Sequence, residues 1–170
     1  MSLAADLRTQ ARQLARQEPR RPRQASLRRA VSAAYYALFH LLVADATRSL
    51  VGGAAPLIPL RHGLSRAFNH GPMAQACKSF ARGLVPPALA KAVPASGIGT
   101  DLRVVAETFT LLQAERHRAD YDLAAVYFRA DVFKVLEQLD DAWDAWCRVR
   151  DSQEACLFLV ALAFWPGLQR

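Results

Sequence analysis

The segment "RRAVSAAYYALFHLL", Arg28 to Leu42, decides how the rest of the chain is read. Arg29, Ser32, Tyr36 and His40 are spaced three, four and four apart. At about 100° per residue they fall in a narrow stripe, with Val31, Ala34, Tyr35, Leu38, Leu41 and Leu42 supplying apolar surface around it. A core-grade helix therefore carries a line of hydrogen-bonding groups. Either those groups satisfy buried partners inside a bundle, as core tyrosines usually do, or they line a polar cleft. His40 titrates near neutrality if it is exposed, or packs as a core histidine.

Working outward, Leu3 to about Glu18 reads as a short amphipathic helix with Leu3, Leu7, Ala11 and Leu14 near one face. "PRRPRQAS" breaks it, because each proline disfavours helix at the residue before it. Ser26 is the expected cap of a long second helix, which "VGG" stops near Leu50. Short helices are expected around Leu60–Asn69 and from Met73 to about Arg82. The stretch "GLVPPALAKAVPASGIGT" follows as a loop with one helical turn at Ala88–Ala92. Helical periodicity resumes from Asp101 to about Glu115, "RHRADYD" marks a junction, and a long helix is expected from about Leu123 to Arg150. Asp151 or Ser152 then caps a last apolar helix ending before Pro166. No β alternation, internal repeat or glycine-rich phosphate loop is evident. The expected fold is all-α, an antiparallel bundle of four main helices with short additions.

With 170 residues, 52% hydrophobic and 22% charged, the chain is long enough to bury a core without disulfide staples. Cys77, Cys147 and Cys156 form an odd set with no close pairing, which points to reduced thiols in a cytoplasmic protein. "MSLAADLRTQ" has no apolar signal region. The apolar run Ala155–Trp165 falls short of the roughly 18–20 residues needed to cross a bilayer, so no membrane association is expected. The net charge of +7 is concentrated at the start: Arg8, Arg12, Arg16, Arg20, Arg21, Arg23, Arg28 and Arg29 stand against only Asp6 and Glu18 before residue 31. Arginine suits phosphate recognition through its planar fork, but a solvated or partner-facing basic helix produces the same pattern, and so does GC-rich coding.

Two further clusters hold chemistry-bearing residues. His62, Arg66 and His70 are spaced four and four. Two histidines eight apart cannot share a metal on one helix without another ligand, so no metal or cofactor is expected there. A phosphate-facing cluster with a histidine as proton carrier and an ordinary surface role both stay open. In "ERHRADYD", Arg116 and Asp120 form an i,i+4 pair if a helix continues through them. Alternatively Arg116 and Arg118 grip an anion, with Tyr121 stacking or donating a hydrogen bond. Trp143 and Trp146 read as core or interface anchors, and the C-terminal apolar run is enclosed by the bundle or buried on a second copy.

Two segments together resemble one known superfamily. "SLRRAVSAAYYALFHLLVADA" looks like the first core helix of HEPN domains, and "LLQAERHRADYDLAAVY" looks like their later segment in which an arginine precedes Ala-Asp-Tyr. "LRHGLSRAFNHGP" sits between them where many such proteins have a histidine opening a short helix. The similarity covers roughly residues 26 to 146. It implies a single HEPN-like domain over 1–170: a basic helix and linker to residue 25, a bundle core over 26–150, and an apolar C-terminal helix. It also implies that the Arg29–His40 stripe faces "RHRADYD" across the bundle, and that the protein forms a homodimer.

Many HEPN proteins are metal-independent ribonucleases carrying an arginine followed four to six residues later by histidine. From Arg116 those offsets are Asp120, Tyr121 and Asp122, and from Arg118 they are Asp122, Leu123 and Ala124. His117 lies between the arginines at the wrong spacing. The resemblance is therefore to the Ala-Asp-Tyr branch without the ribonuclease pair. The expected polar site comprises Arg29, Ser32, Tyr36, His40, Arg116, Arg118, Asp120 and Tyr121. Three functions follow as expectations. One is binding of RNA or a nucleotide-bearing partner, with a nucleotidyltransferase-type antitoxin and a toxin–antitoxin, defence or stress role implied by the resemblance alone. Another is a non-enzymatic oligomerisation module. The last is a divergent ribonuclease using His62 or His70 with Arg116.

Overall fold

The computed structural model describes residues 2–169. Seven α-helices occupy them: α1 (Leu3–Arg16), α2 (Gln24–Val51), α3 (Ile58–Ser65), α4 (His70–Ala81), α5 (Thr100–Tyr121), α6 (Arg129–Val149) and α7 (Gln153–Leu168). Short 3₁₀ turns lie at Ala55–Leu57 and Pro87–Ala92, and no strand occurs among the described residues. The protein is an all-α helical bundle. Its contacts divide it into two units, one of residues 1–41 with 108–143 and the other of 42–107 with 144–170, so α2, α5 and α6 each supply residues to both.

In the first unit, contacts along α2 climb as those along α5 descend. Arg28 reaches residues 119–125, Ser32 meets Asp120, and Tyr36 meets Arg116. The two helices are thus antiparallel. Leu27, Val31, Ala34, Tyr35 and Leu38 are fully buried, and the Tyr35 ring meets Phe109 edge-on at 5.5 Å. Helix α1 is capped by Ser2, whose hydroxyl accepts from Ala5 N–H. Its buried stripe is Ala4, Ala11 and Ala15, while the expected Leu3 is exposed. The rotation follows from Arg8 and Arg12, which both pair with Asp140 on α6; Arg8 also lies 4.8 Å from the centre of the Trp143 ring.

Three boundaries in the first unit differ from expectation, and in the second unit α3 ends at Ser65 rather than Asn69 and α4 opens at His70 rather than Met73. Helix α2 starts at Gln24 rather than after a Ser26 cap, with Leu27 N–H bonding Arg23 C=O; the Ser26 hydroxyl donates instead to Glu18. Helix α5 runs through "RHRADYD" to Tyr121. The next helix starts at Arg129, not near Leu123. Arg28 explains both of the last two: its guanidinium donates to the carbonyls of Ala119 (3.0 Å), Asp122 (2.9 Å), Leu123 (3.4 Å) and Ala125 (2.5 Å). Carbonyls gathered on one cation cannot all point along a helix axis. Asp122 completes the turn by accepting Ala124 N–H at 2.9 Å. Gln24 then anchors the far side, exchanging two hydrogen bonds with the backbone of Tyr127.

The second unit is organised around aromatic side chains with polar tips. Trp146 is fully buried and donates its indole N–H to Asp45 at 2.7 Å. Phe158 of α7 packs against Phe80 of α4 at 5.1 Å between ring centres, and Trp165 donates to Gln75. The apolar α7 is thus enclosed within its own unit, which removes the case for a second copy covering it. Ser152 caps it as expected, but Pro166 lies inside the helix, which kinks at Phe164. Helix α4 ends at Gly83 (φ 72°), where Gly83 and Leu84 N–H bond back to Phe80 and Ser79 C=O, a backbone that a side chain disfavours. Cys77 is buried, and burial pushes its thiol well above the ordinary range; Cys147 and Cys156 are exposed, and all three are free.

Helix α2 is long and apolar enough to cross a membrane by length and composition. However, 72% of that window is buried inside the protein, as befits a core helix. Removing Arg28 from α2 is the sharpest test of the first unit. Arg28→Met should strand four carbonyls and lower unfolding free energy by about 2–3 kcal/mol in urea titration. It should also speed amide exchange at residues 119–128 ahead of the rest of the chain.

Candidate functional site

The C-terminal turns of α5 divide their polar residues between two faces. Arg116 and Asp120 turn toward α2. Their side chains are 20% and 24% exposed, and Arg116 Nε lies 2.8 Å from Asp120 Oδ2. Arg116 Nη2 donates to the Tyr36 hydroxyl at 3.0 Å, and the Ser32 hydroxyl donates to Asp120 Oδ1 at 2.5 Å. The guanidinium carbon sits 5.5 Å from the Tyr36 ring centre and 5.4 Å from that of Tyr121. One cation is thus held by a carboxylate, a phenol and two aromatic faces. Burial pulls the Arg116 pKa down, but Tyr36, Asp120 and Tyr121 outweigh it and hold it above its ordinary value. The result is a permanently charged guanidinium whose partners are already protein groups.

His117, Arg118 and Tyr121 turn outward. With Ala114 and Asp122 they surround a recess of about 350 Å³. Tyr121 is 61% exposed, and its ring centre lies 4.9 Å from that of His117. Arg118 is half exposed, reaching Glu115 only at 3.9 Å and lying over the Tyr127 ring at 5.3 Å. Behind it the Tyr127 hydroxyl bonds to Glu115 at 3.1 Å. Burial first, and the Glu115 charge second, push Tyr127 up to about 12, so this phenol stays neutral and structural.

The expected site residues therefore separate. Ser32, Tyr36, Arg116 and Asp120 come together as one network; Tyr121 touches it through ring contacts, and Arg118 stands outside it. Arg29 is exposed on α2, and it is Arg28, four residues before Ser32, that reaches the end of α5. His40 stacks on Tyr36 at 6.3 Å and meets Phe39 edge-on, and burial lowers its pKa, so the neutral ring is favoured. The stripe of His62, Arg66 and His70 does not survive as one surface. His62 is exposed on α3, Arg66 ends that helix, and His70 opens α4 after a break at 66–69. Both histidines belong to the second unit and Arg116 to the first. No three His, Cys, Asp or Glu side chains converge in a metal-ligand arrangement among the described residues.

The basic N-terminal segment is also partly spent. Arg8 and Arg12 pair with Asp140, Arg16 lies over the Phe133 ring at 5.7 Å, and Arg28 is bound to carbonyls. Arg20, Arg21, Arg23 and Arg29 remain exposed.

Asp120 bonds both Ser32 and Arg116, so Asp120→Ala should cost about 2 kcal/mol of stability. Combined with Ser32→Ala in a double-mutant cycle under urea, the pair should show a coupling of about 1 kcal/mol. Additive losses would mean that the two side chains do not act together.

Comparison of the chain with protein-family models, with curated proteins and with solved structures finds no match.

Proposed function

We propose that this chain is a HEPN-like protein that binds single-stranded RNA, or a partner bearing a nucleotide, without cutting it. The observation that carries this reading is the division of the α5 terminus. The residues aligned with the family's arginine and missing histidine, Arg116 and Asp120, are consumed by Ser32 and Tyr36. Their neighbours His117, Arg118 and Tyr121 stand open around a recess. An exposed tyrosine offers a stacking platform to any base, and an arginine held only by a 3.9 Å ion pair and a ring contact offers a fork to its phosphate. The exposed Arg20, Arg21, Arg23 and Arg29 of the same unit add positive potential for a polyanion. A general acid or base at the Asp120 position is missing, since that carboxylate is held by Arg116 and Ser32, so binding without hydrolysis is the stronger reading. The toxin–antitoxin or stress setting, a nucleotidyltransferase-type partner and a cytoplasmic location rest on the resemblance alone.

Labelled single-stranded RNA titrated at about 50 and 200 mM salt should bind with affinity falling steeply as salt rises. The RNA should stay intact. Tyr121→Ala should weaken binding about tenfold, the stacking of one base, and Arg118→Gln should lower both affinity and salt slope. Absence of binding at low salt would overturn this reading. Cleavage lost in Arg116→Ala and His70→Ala but insensitive to chelators would establish the ribonuclease instead.

A second reading, a self-associating module, has its own support. Leu123, Val126 and Phe128 are 92%, 57% and 66% exposed. Val126 and Phe128 border, with Leu111, a groove of about 420 Å³ rimmed by Glu115, Arg118, Asp131 and Lys134. A rim that mixes both signs suits a self-complementary two-fold contact. Sedimentation should then show a concentration-dependent dimer that Phe128→Asp converts to monomer; a wild-type chain monomeric at every concentration rejects it.

A further inference from the structure

The second unit contains a polar recess that the RNA-binding reading does not use. It holds about 320 Å³ and is lined by Asp45, Arg48 and Ser49 of α2, Arg150, Asp151 and Ser152 of the α6–α7 turn, and Cys156 and Leu159 of α7. We infer that this recess binds the terminal phosphate of a small phosphate monoester.

The argument begins with which donors are spent. The Arg48 side chain is exposed, and its guanidinium makes no hydrogen bond or ion pair with any described residue; only its backbone carbonyl is engaged, by Gly52 N–H. Arg150 approaches Asp45 at 4.0 Å and Asp151 at 3.9 Å, the outer limit of an ion pair, and makes no side-chain hydrogen bond to either. The Ser49 hydroxyl is likewise uncommitted. That of Ser152 accepts Ala155 N–H as the α7 cap, which leaves its proton to donate. Two guanidinium forks and two hydroxyls thus line the recess from two segments, α2 and the α6–α7 turn. A planar carboxylate satisfies one fork, whereas a tetrahedral phosphate presents oxygens in several directions and can use all four groups.

The two carboxylates in the lining need a separate account. Asp45 is already an acceptor, holding the Trp146 indole N–H at 2.7 Å, so its charge is tied down beside Arg150. The Asp151 side chain is 94% exposed, where solvent screens it. The two carboxylates and two guanidiniums of the lining balance, so the pull on an anion comes from the unpaired donors of Arg48 and the loosely held ones of Arg150 rather than from net charge. The start of the sixteen-residue α7 at Ser152 adds a favourable helix dipole. Leu159, buried, and Cys156 supply a small apolar wall, which suits an ester's carbon skeleton better than a free ion.

Calorimetric titration tests this with ribose 5-phosphate, inorganic phosphate and unphosphorylated ribose, ionic strength being matched with chloride. Ribose 5-phosphate should bind, ribose should not, and Arg48→Gln should weaken binding at least tenfold. The Arg48 guanidinium holds no protein partner, so Arg48→Gln should leave the fold intact; unchanged circular dichroism checks that. Lys91→Gln, an exposed cation elsewhere in the unit, should leave binding unchanged. Inorganic phosphate binding as tightly as the ester would reject the ester assignment. Heat that persists in Arg48→Gln, or is reproduced by chloride alone, would overturn the site. RNA affinity should be unaffected by Arg48→Gln, and ribose 5-phosphate affinity by Tyr121→Ala, so either reading can fail without the other.

Discussion

Within the first unit, the guanidinium of Arg28 is the constraint on which the rest depends. It collects the carbonyls of Ala119, Asp122, Leu123 and Ala125. A helix end leaves its last carbonyls without intrahelical partners, and a single cation with five donors can satisfy several at once. By doing so it sets where α5 stops, shapes the turn through Asp122, and delivers Tyr127 to Gln24. The start of α6 follows, with Arg129 donating to the backbone of Glu18 and Pro19. The side chains of the α5 terminus point where they do because this end is fixed.

Arginine serves three different purposes in this unit, and the distinction matters more than their number. Arg8, Arg12, Arg28 and Arg129 join helices and turns. Arg116 is held inside a network of Asp120, Tyr36 and Tyr121, where its charge is balanced and its aromatic faces are occupied. Arg118 and the exposed arginines near residues 20–29 retain most of their donors. Only the last group can be offered to a ligand at little cost, because a ligand competing for the others must first replace good protein contacts.

The second unit follows the same logic with fewer ion pairs. Trp146 and Trp165 bury large apolar surfaces while their indole N–H groups find Asp45 and Gln75. Asp45 is thereby fixed, and its fixed charge determines how much positive potential Arg150 and Arg48 leave in the neighbouring recess. The unpaired donors of Arg48 beside an Asp45 already engaged by Trp146 are the basis on which that recess is assigned to a phosphate.

The sequence by itself determined the helical class and the order of the helices; that the "SLRRAVSAAYYALFHLL" segment faces "RHRADYD" is an expectation drawn from the family resemblance. Apolar periodicity and proline–glycine punctuation are local signals, and they located α1, α2 and the Ser152 cap within a few residues. Spacing also put Arg116 and Asp120 four apart. Tertiary structure decided the rest. The end of α5 and the start of α6 depend on a cation ninety residues away in sequence, which no local window contains. Arg28 rather than Arg29 does this work; its place four before Ser32 was the available clue, but both arginines fit the helix pattern. Which polar groups keep donors or an open face, Arg118 and Tyr121 in one unit and Arg48 and Arg150 in the other, followed only from seeing which neighbours had claimed the rest. Hydrogen-bond satisfaction is a property of contacts, and contacts between distant residues are written in the fold.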